Sequence, residues 1–157
     1  MDEGKKNSRY SRIVSQLHHL IKQTDSLVSR MATVNAILYY KMTGFLWTGF
    51  YLLKKEDLLV GPYQGPLACQ VLEKNKGVCW AAINQKVTLI VPDVEQFPGH
   101  IACNPRSKSE IAVPIWNKYG EIIGVLDVDS ISKNHFNETD AKWLEKIVSL
   151  LHQEPLP

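Results

Sequence analysis

The chain lacks the short motifs that announce the commonest chemistries. No Walker loop, G-x-G-x-x-G, G-x-S-x-G, H-E-x-x-H or C-x-x-C occurs in it, so nucleotide-dependent, serine-hydrolase, zincin and structural-zinc chemistry lose their usual supports. No apolar run approaches the roughly 18 residues of a membrane span. The opening Met1-Asp-Glu-Gly-Lys-Lys carries two acids and leads into no signal-like apolar stretch, so a cytoplasmic protein without a membrane partner is expected. Charge of one sign is also scarce: 18 Lys and Arg against 16 Asp and Glu leave a formal +2, with no nucleic-acid footprint. Cysteine is limited to three residues, an odd count that cannot close a disulfide framework.

What is present is ordinary globular material. Its 157 residues, 45% hydrophobic and 22% charged, predict one domain spanning 1–157 that buries a core large enough to stand alone. Ile13, Leu17, Leu20 and Ile21 fall at i, i+4, i+7 and i+8, the spacing of an amphipathic helix. Thr24 or Asp25 can cap a second helix, with Leu27 or Val28, Met31, Val34 and Ile37 or Leu38 on its face, running to about Tyr40. These N-terminal helices occupy residues 1–42.

From residue 44 to 151 the pattern is mixed. Phe45–Leu53 and Leu58–Tyr63, joined by Lys54-Lys-Glu-Asp57, read as a hairpin. Strict alternation would put Phe45, Trp47, Gly49 and Tyr51 on one face and Leu46, Thr48, Phe50 and Leu52 on the other. A short helix is expected between Gly77 and Asn84, a strand at Thr88–Val91, then a long irregular segment, Pro92 to Lys108, of the kind that is usually functional. A second hairpin, Glu110–Trp116 and Glu121–Asp129, turns at Asn117-Lys-Tyr-Gly120. The last helix starts at Asn137, which with Asp140 approximates a capping box, and buries Trp143, Leu144, Ile147, Val148 and Leu151; Pro155 and Pro157 form a tail. The order predicts an α+β fold: a mainly antiparallel central sheet flanked by N-terminal and C-terminal helices on one side.

Cys69, Cys79 and Cys103 are ten and then twenty-four positions apart. Residue type alone leaves three readings open: buried hydrophobes, a Cys₃His site completed by His100, or a redox set. Cys103 stands out because it lies in the long loop near Arg106 and Lys108, cations that favour a thiolate. Asp127 and Asp129 interrupt an apolar strand and point to the same side, while Glu110 opens the preceding strand. They are either exposed strand-end acids or an acidic cluster suited to holding an ammonium group or a proton. Trp47 and Tyr51 share a strand face, as core or as the wall of such a site.

Taken together, Trp47-Thr-Gly-Phe-Tyr51, Gly61-Pro-Tyr-Gln-Gly65, Ala68-Cys69-Gln, Gly77-Val-Cys79, Val91-Pro-Asp-Val94, Pro98-Gly-His-Ile-Ala-Cys103, Ser107-Lys-Ser-Glu-Ile111, Val113-Pro-Ile115 and Gly124-Val-Leu-Asp-Val-Asp129 resemble the free methionine-(R)-sulfoxide reductases, enzymes built on a GAF domain. The resemblance implies reduction of free methionine-(R)-sulfoxide to methionine. It further implies Cys103 as nucleophile, Cys69 as resolving thiol, Cys79 as a secondary resolving candidate, and a pocket of Trp47, Tyr51, Glu110, Asp127 and Asp129. No metal and no bound cofactor are implied; thioredoxin, recharged by NADPH through thioredoxin reductase, would be the reductant, and a homodimer is compatible. Trp80 departs from the pattern, which usually has glycine after this cysteine. The competing expectation is a GAF-type module that senses a small ligand or oxidant without turnover, and a third is a metal-binding redox switch.

Overall fold

The computed structural model describes residues 1–100, 103–154 and 156; Ile101, Ala102 and the tail's Pro155 and Pro157 lie outside them. Helix α1 spans Glu3–Leu20 and α2 spans Leu27–Lys41. Strands β1 (Phe45–Lys54) and β2 (Asp57–Gln64) form the first hairpin, followed by a two-residue β3 (Val71–Leu72), helix α3 (Gly77–Gln85) and β4 (Leu89–Val91). Strands β5 (Ser109–Trp116) and β6 (Ile122–Ser130) and helix α4 (Glu138–Ser149) complete the order. One six-stranded sheet runs β3-β2-β1-β6-β5-β4, every neighbouring pair antiparallel.

Period-2 alternation gives this sheet two apolar faces, each with its own core. Ile111, Val113 and Ile115 of β5 and Leu126 and Val128 of β6 meet Tyr10, Ile13 and Leu17 of α1, Met31 and Leu38 of α2, and Leu144 and Ile147 of α4. The intervening residues Ala112 and Val125 face the opposite way, against Val78, Cys79, Trp80, Ala82 and Ile83 of α3. Helices therefore lie on both sides of the sheet, which corrects the one-sided arrangement read from the sequence. The short α3 is apolar nearly all round, so its facing could not be taken from periodicity.

Three further local expectations change. Phe45 does not share a face with Trp47. The β1–β6 register shifts between them, and this bulge sends Phe45 to the helical core and Leu46 and Trp47 to the other side. Helix α2 is capped by Ser26, whose side chain accepts from the Ser29 N–H, while Thr24 Oγ1 accepts from the Ser26 N–H. Strand β3 is too short to leave a periodic signal and exists through pairing, Leu58 with Leu72 and Leu59 with Val71. The Asn137 capping box forms, and Asn117 organises the second hairpin turn by accepting from the Tyr119 and Glu121 N–H groups. Trp143 is only partly buried and donates from Nε1 to Asn7 Oδ1 at 2.8 Å.

The N-terminal helix is tied down by a buried polar knot. Asp140, wholly inaccessible, accepts from Lys6 Nζ at 2.6 Å, from the Tyr10 hydroxyl at 2.8 Å and from the Asn137 N–H at 2.9 Å. Burial, and next the charge of Asp140, hold the Tyr10 phenol well above its ordinary pKa, so it stays a donor. A buried pair of this kind is costly to break because the survivor is stranded without water. Lys6→Met is therefore expected to destabilise the fold by about 3 kcal/mol or more. Lys74→Met, at the exposed Lys74–Glu56 pair, is expected to cost below about 1 kcal/mol. Urea unfolding midpoints of the two variants check this, and equal shifts would contradict it.

Candidate active site

The α3 side of the sheet carries a cavity of about 590 Å³, counted to its open mouth. Its floor is set by strand register. Glu110 pairs with Asp129 and Asp129 with Trp47 in one row across β5, β6 and β1, while the next row runs Ala112, Asp127, Gly49. Because side chains alternate, Asp127 and Asp129 face the cavity together, with Glu110 beside them. Gly49 is required by this arrangement: a Cβ there would overlap the Trp47 indole and Tyr63 Cβ. The indole stacks with Tyr63 at 5.3 Å and Tyr51 at 5.7 Å between ring centroids, forming one wall.

The acids are not the exposed strand-end groups that the sequence also allowed. Glu110 and Asp127 are 5% and 6% exposed, and no Lys or Arg ion-pairs with any of the three acids among the described residues. Burial, and next the neighbouring charges of Asp127 and Asp129, push the Glu110 carboxyl well above the usual carboxylate range. Burial and Asp129 do the same to Asp127. Asp129 rises less, to about 6: burial raises it and the hydroxyl of Ser107, which donates to its Oδ1, opposes. His100 Nδ1 lies 3.7 Å from Glu110 Oε2, and burial lowers the imidazole pKa, so neutral histidine meets neutral acid there. Two buried polar atoms in the wall and floor, Asp127 Oδ1 and Trp47 Nε1, have no hydrogen-bond partner among the described residues. Such unpaired groups suit an external ligand with both donors and acceptors.

The cysteines separate into two kinds. Cys69, from the β2–β3 connection, and Cys103, from the long loop, are joined by a disulfide across a Cα–Cα distance of 5.6 Å. Both are half-buried and lie at or beside the cavity mouth. Cys79, in the first turn of α3, is free and buried; its Sγ is 4.0 Å from Glu110 Oε1. Burial, and next the charges of Asp127 and Glu110, push that thiol well above its ordinary value, away from the reactive thiolate. The Cys₃His set is not assembled in this state, since two of its sulfurs are bonded to each other. Cys79, Glu110 and Asp127 instead place donor atoms within 4.8 Å of one another, close enough to share a proton or hold a cation.

The candidate site residues Cys69, Cys79, Cys103, Trp47, Tyr51, His100, Glu110, Asp127 and Asp129 fall on or beside this cavity. Sequence reasoning missed the part of Ser107, which lay in a quoted motif but on no periodic element, and of Leu46, which the β1 bulge turned around. It also assigned Tyr51 only as pocket lining. The phenol donates to the Cys69 carbonyl at 3.2 Å, and burial raises its pKa so that it remains a donor. Trp80 lies outside the lining: it packs beneath α3 and donates from Nε1 to the Leu72 carbonyl at 3.2 Å, fixing β3 just after Cys69.

A GAF domain model matches residues 34–153. GAF domain-containing protein A of Dictyostelium discoideum is 46% identical over 96% of this chain and 95% of that one. The free methionine-R-sulfoxide reductase of Escherichia coli is 36% identical over 94% of this chain and 89% of its own. The chain belongs to the GAF-domain family of free methionine-R-sulfoxide reductases. A solved structure of such a reductase from Neisseria meningitidis, in complex with its substrate, superimposes with a TM-score of 0.88 at 37% identity, covering 93% of this chain and 87% of that one. The six-stranded antiparallel sheet described above is therefore that of a GAF fold.

An acid raised by burial binds its proton more tightly folded than unfolded, so stability is fully present below the unfolded value and falls as pH rises through the folded one. For Asp129 that window runs from 3.8 to about 6. Asp129→Asn is accordingly expected to melt higher than the parent chain at pH 7.5 and at the same temperature near pH 4. Thermal unfolding at the two pH values measures it; a lower melting temperature at pH 7.5 would refute the placement.

Proposed function

We propose that this chain reduces free L-methionine-(R)-sulfoxide to L-methionine, using its own cysteines as the reductant. The observation that carries this reading is the conjunction at one cavity of a Cys69–Cys103 disulfide with three carboxylates, Glu110 and Asp127 buried and Asp129 half-buried, that pair with no lysine or arginine among the described residues. A ligand-sensing GAF module would need neither.

Two jobs divide among the acids by their environment. Glu110 and Asp127, most strongly raised, keep a proton between them at neutral pH. Asp129, at about 6, is the one most ionised there and takes the substrate's α-ammonium as a charge-assisted partner. A methionine sulfoxide inside a polypeptide has no such ammonium, which favours the free amino acid. The aromatic wall of Trp47 and Tyr51 receives the thioether carbons.

In the reduced enzyme the Cys103 thiolate attacks the sulfoxide sulfur while the protonated Glu110–Asp127 pair gives its proton to the sulfoxide oxygen. The S–O bond is lost from substrate, methionine leaves, and Cys103 carries a sulfenic acid. The Cys69 thiol then displaces water from that sulfenic acid, forming the disulfide. A dithiol of the thioredoxin class, maintained by NADPH through thioredoxin reductase, restores both thiols by exchange. Cys79, free and held protonated, is the third thiol and plays no required part in this sequence of steps.

With thioredoxin, its reductase and NADPH supplied, NADPH oxidation is expected with the R epimer of free methionine sulfoxide and not with the S epimer. Cys103→Ser should abolish methionine formation, and Cys69→Ser should release roughly one methionine per chain and stop. Cys79→Ser should continue to turn over. Normal activity in Cys103→Ser, or equal rates with both epimers, would sink the proposal.

A further inference from the structure

Regeneration of the two thiols requires a donor that touches a sulfur, because thiol–disulfide exchange passes through a mixed disulfide. Any protein donor therefore covers the surface around Cys69 and Cys103, and the composition of that surface can be read. Pro66 stands three residues before Cys69 and Arg106 three residues after Cys103, so each lies within roughly 11 Å of a half-cystine Cα. Both residues line a groove of about 450 Å³ with Tyr39, Leu46, Phe45 and Ile131. Leu46 also lines the active-site cavity, so groove and cavity adjoin across that side chain.

The groove is rimmed by apolar side chains left in water: Leu67, next to Pro66, is 86% exposed, Ile131 51% and Tyr39 40%. Exposed apolar residues are ordinary when scattered; here they gather at one groove, whose Pro66 and Arg106 are each three residues from a half-cystine. Arg106 is exposed and makes no ion pair among the described residues, whereas the nearby Lys108 is held by Glu95 at 3.0 Å. The surface thus offers an apolar floor with one uncommitted cation.

Resting on the reductase reading above, we propose that this groove is the docking surface for a protein dithiol reductant that bears an apolar loop around its attacking cysteine and an acidic residue at its rim. A transient redox encounter of about 600 Å² per partner would cover the patch and both cysteines together. The reductant's thiolate attacks one sulfur of the Cys69–Cys103 bond, which breaks as a mixed disulfide forms. Its second thiolate then attacks its own bonded sulfur. The partner leaves oxidised by two electrons, and this chain gains two electrons and two protons as two thiols. A small dithiol performs the same exchange without needing the groove.

The test replaces Ile131→Glu and Arg106→Glu, singly and together, in the full chain. Steady-state reduction of free methionine-(R)-sulfoxide is followed with thioredoxin varied, and separately with dithiothreitol. The Ile131→Glu variant is expected to raise the KM for thioredoxin about tenfold. Arg106→Glu should raise it severalfold and make it less sensitive to salt. The rate of Ile131→Glu with dithiothreitol should stay within about twofold of the parent chain, which also reports that the variant is folded. Unchanged KM for thioredoxin in both variants overturns the docking surface, as does a parallel loss of Ile131→Glu activity with dithiothreitol. So does a parent enzyme that turns over with dithiothreitol but not with thioredoxin. A parent enzyme that turns over with neither reductant sinks the reductase reading instead.

Discussion

Three carboxyl groups on one face of a sheet, Glu110 and Asp127 buried and Asp129 half-buried, with no lysine or arginine paired to them among the described residues, are the constraint around which this molecule is arranged. Left ionised, they would repel one another in a medium that screens poorly, and the chain's answer is to raise their pKa values rather than neutralise them with lysine or arginine. The neighbours follow from that choice. Ser107 donates to the acid that is raised least, His100 lies beside Glu110, and Cys79 is kept as a thiol by burial and next by the charges of the acids. Asp127 Oδ1 and Trp47 Nε1, without a hydrogen-bond partner among the described residues, are polar groups that a ligand can satisfy.

The opposite face of the same sheet is built on another plan. There the helices supply an apolar core, and the buried acid Asp140 is satisfied by a lysine, a phenol and a backbone amide. One carboxylate is paired with a cation to fix structure, and three have no lysine or arginine beside them among the described residues. The two cores share the strands, whose residues alternate between them, so away from the bulges a side chain's position parity decides whether it serves the helical core or the cavity.

That parity is why much of the site was legible in the sequence. Acids at positions 127 and 129 in an otherwise apolar strand must share a side, and a tight hairpin must bring residue 110 next to them. The motif order carried the fold and the family. What could not be read depends on distant parts of the chain or on a single backbone irregularity. The β1 bulge reverses Phe45 and Leu46 without marking the sequence. The place of α3 depends on which sheet face remained uncovered. Strand β3 is a product of pairing, and the Lys6–Asp140 contact joins residues 134 positions apart. Trp80, conspicuous in the sequence beside Cys79, acts away from that thiol by holding the Leu72 carbonyl.

The Cys69–Cys103 bond has a topological side as well as a chemical one. It links residues 34 positions apart, and the loop it closes contains β3, α3 and β4, the elements that line the cavity side and extend the sheet at both edges. Closing a loop of this length removes denatured-state entropy equivalent to roughly 4 kcal/mol in the chain-entropy model. In the proposed cycle this tether is made and cut once per turnover. In that cycle the oxidised chain carries a covalent restraint across these cavity-side elements that the reduced chain lacks.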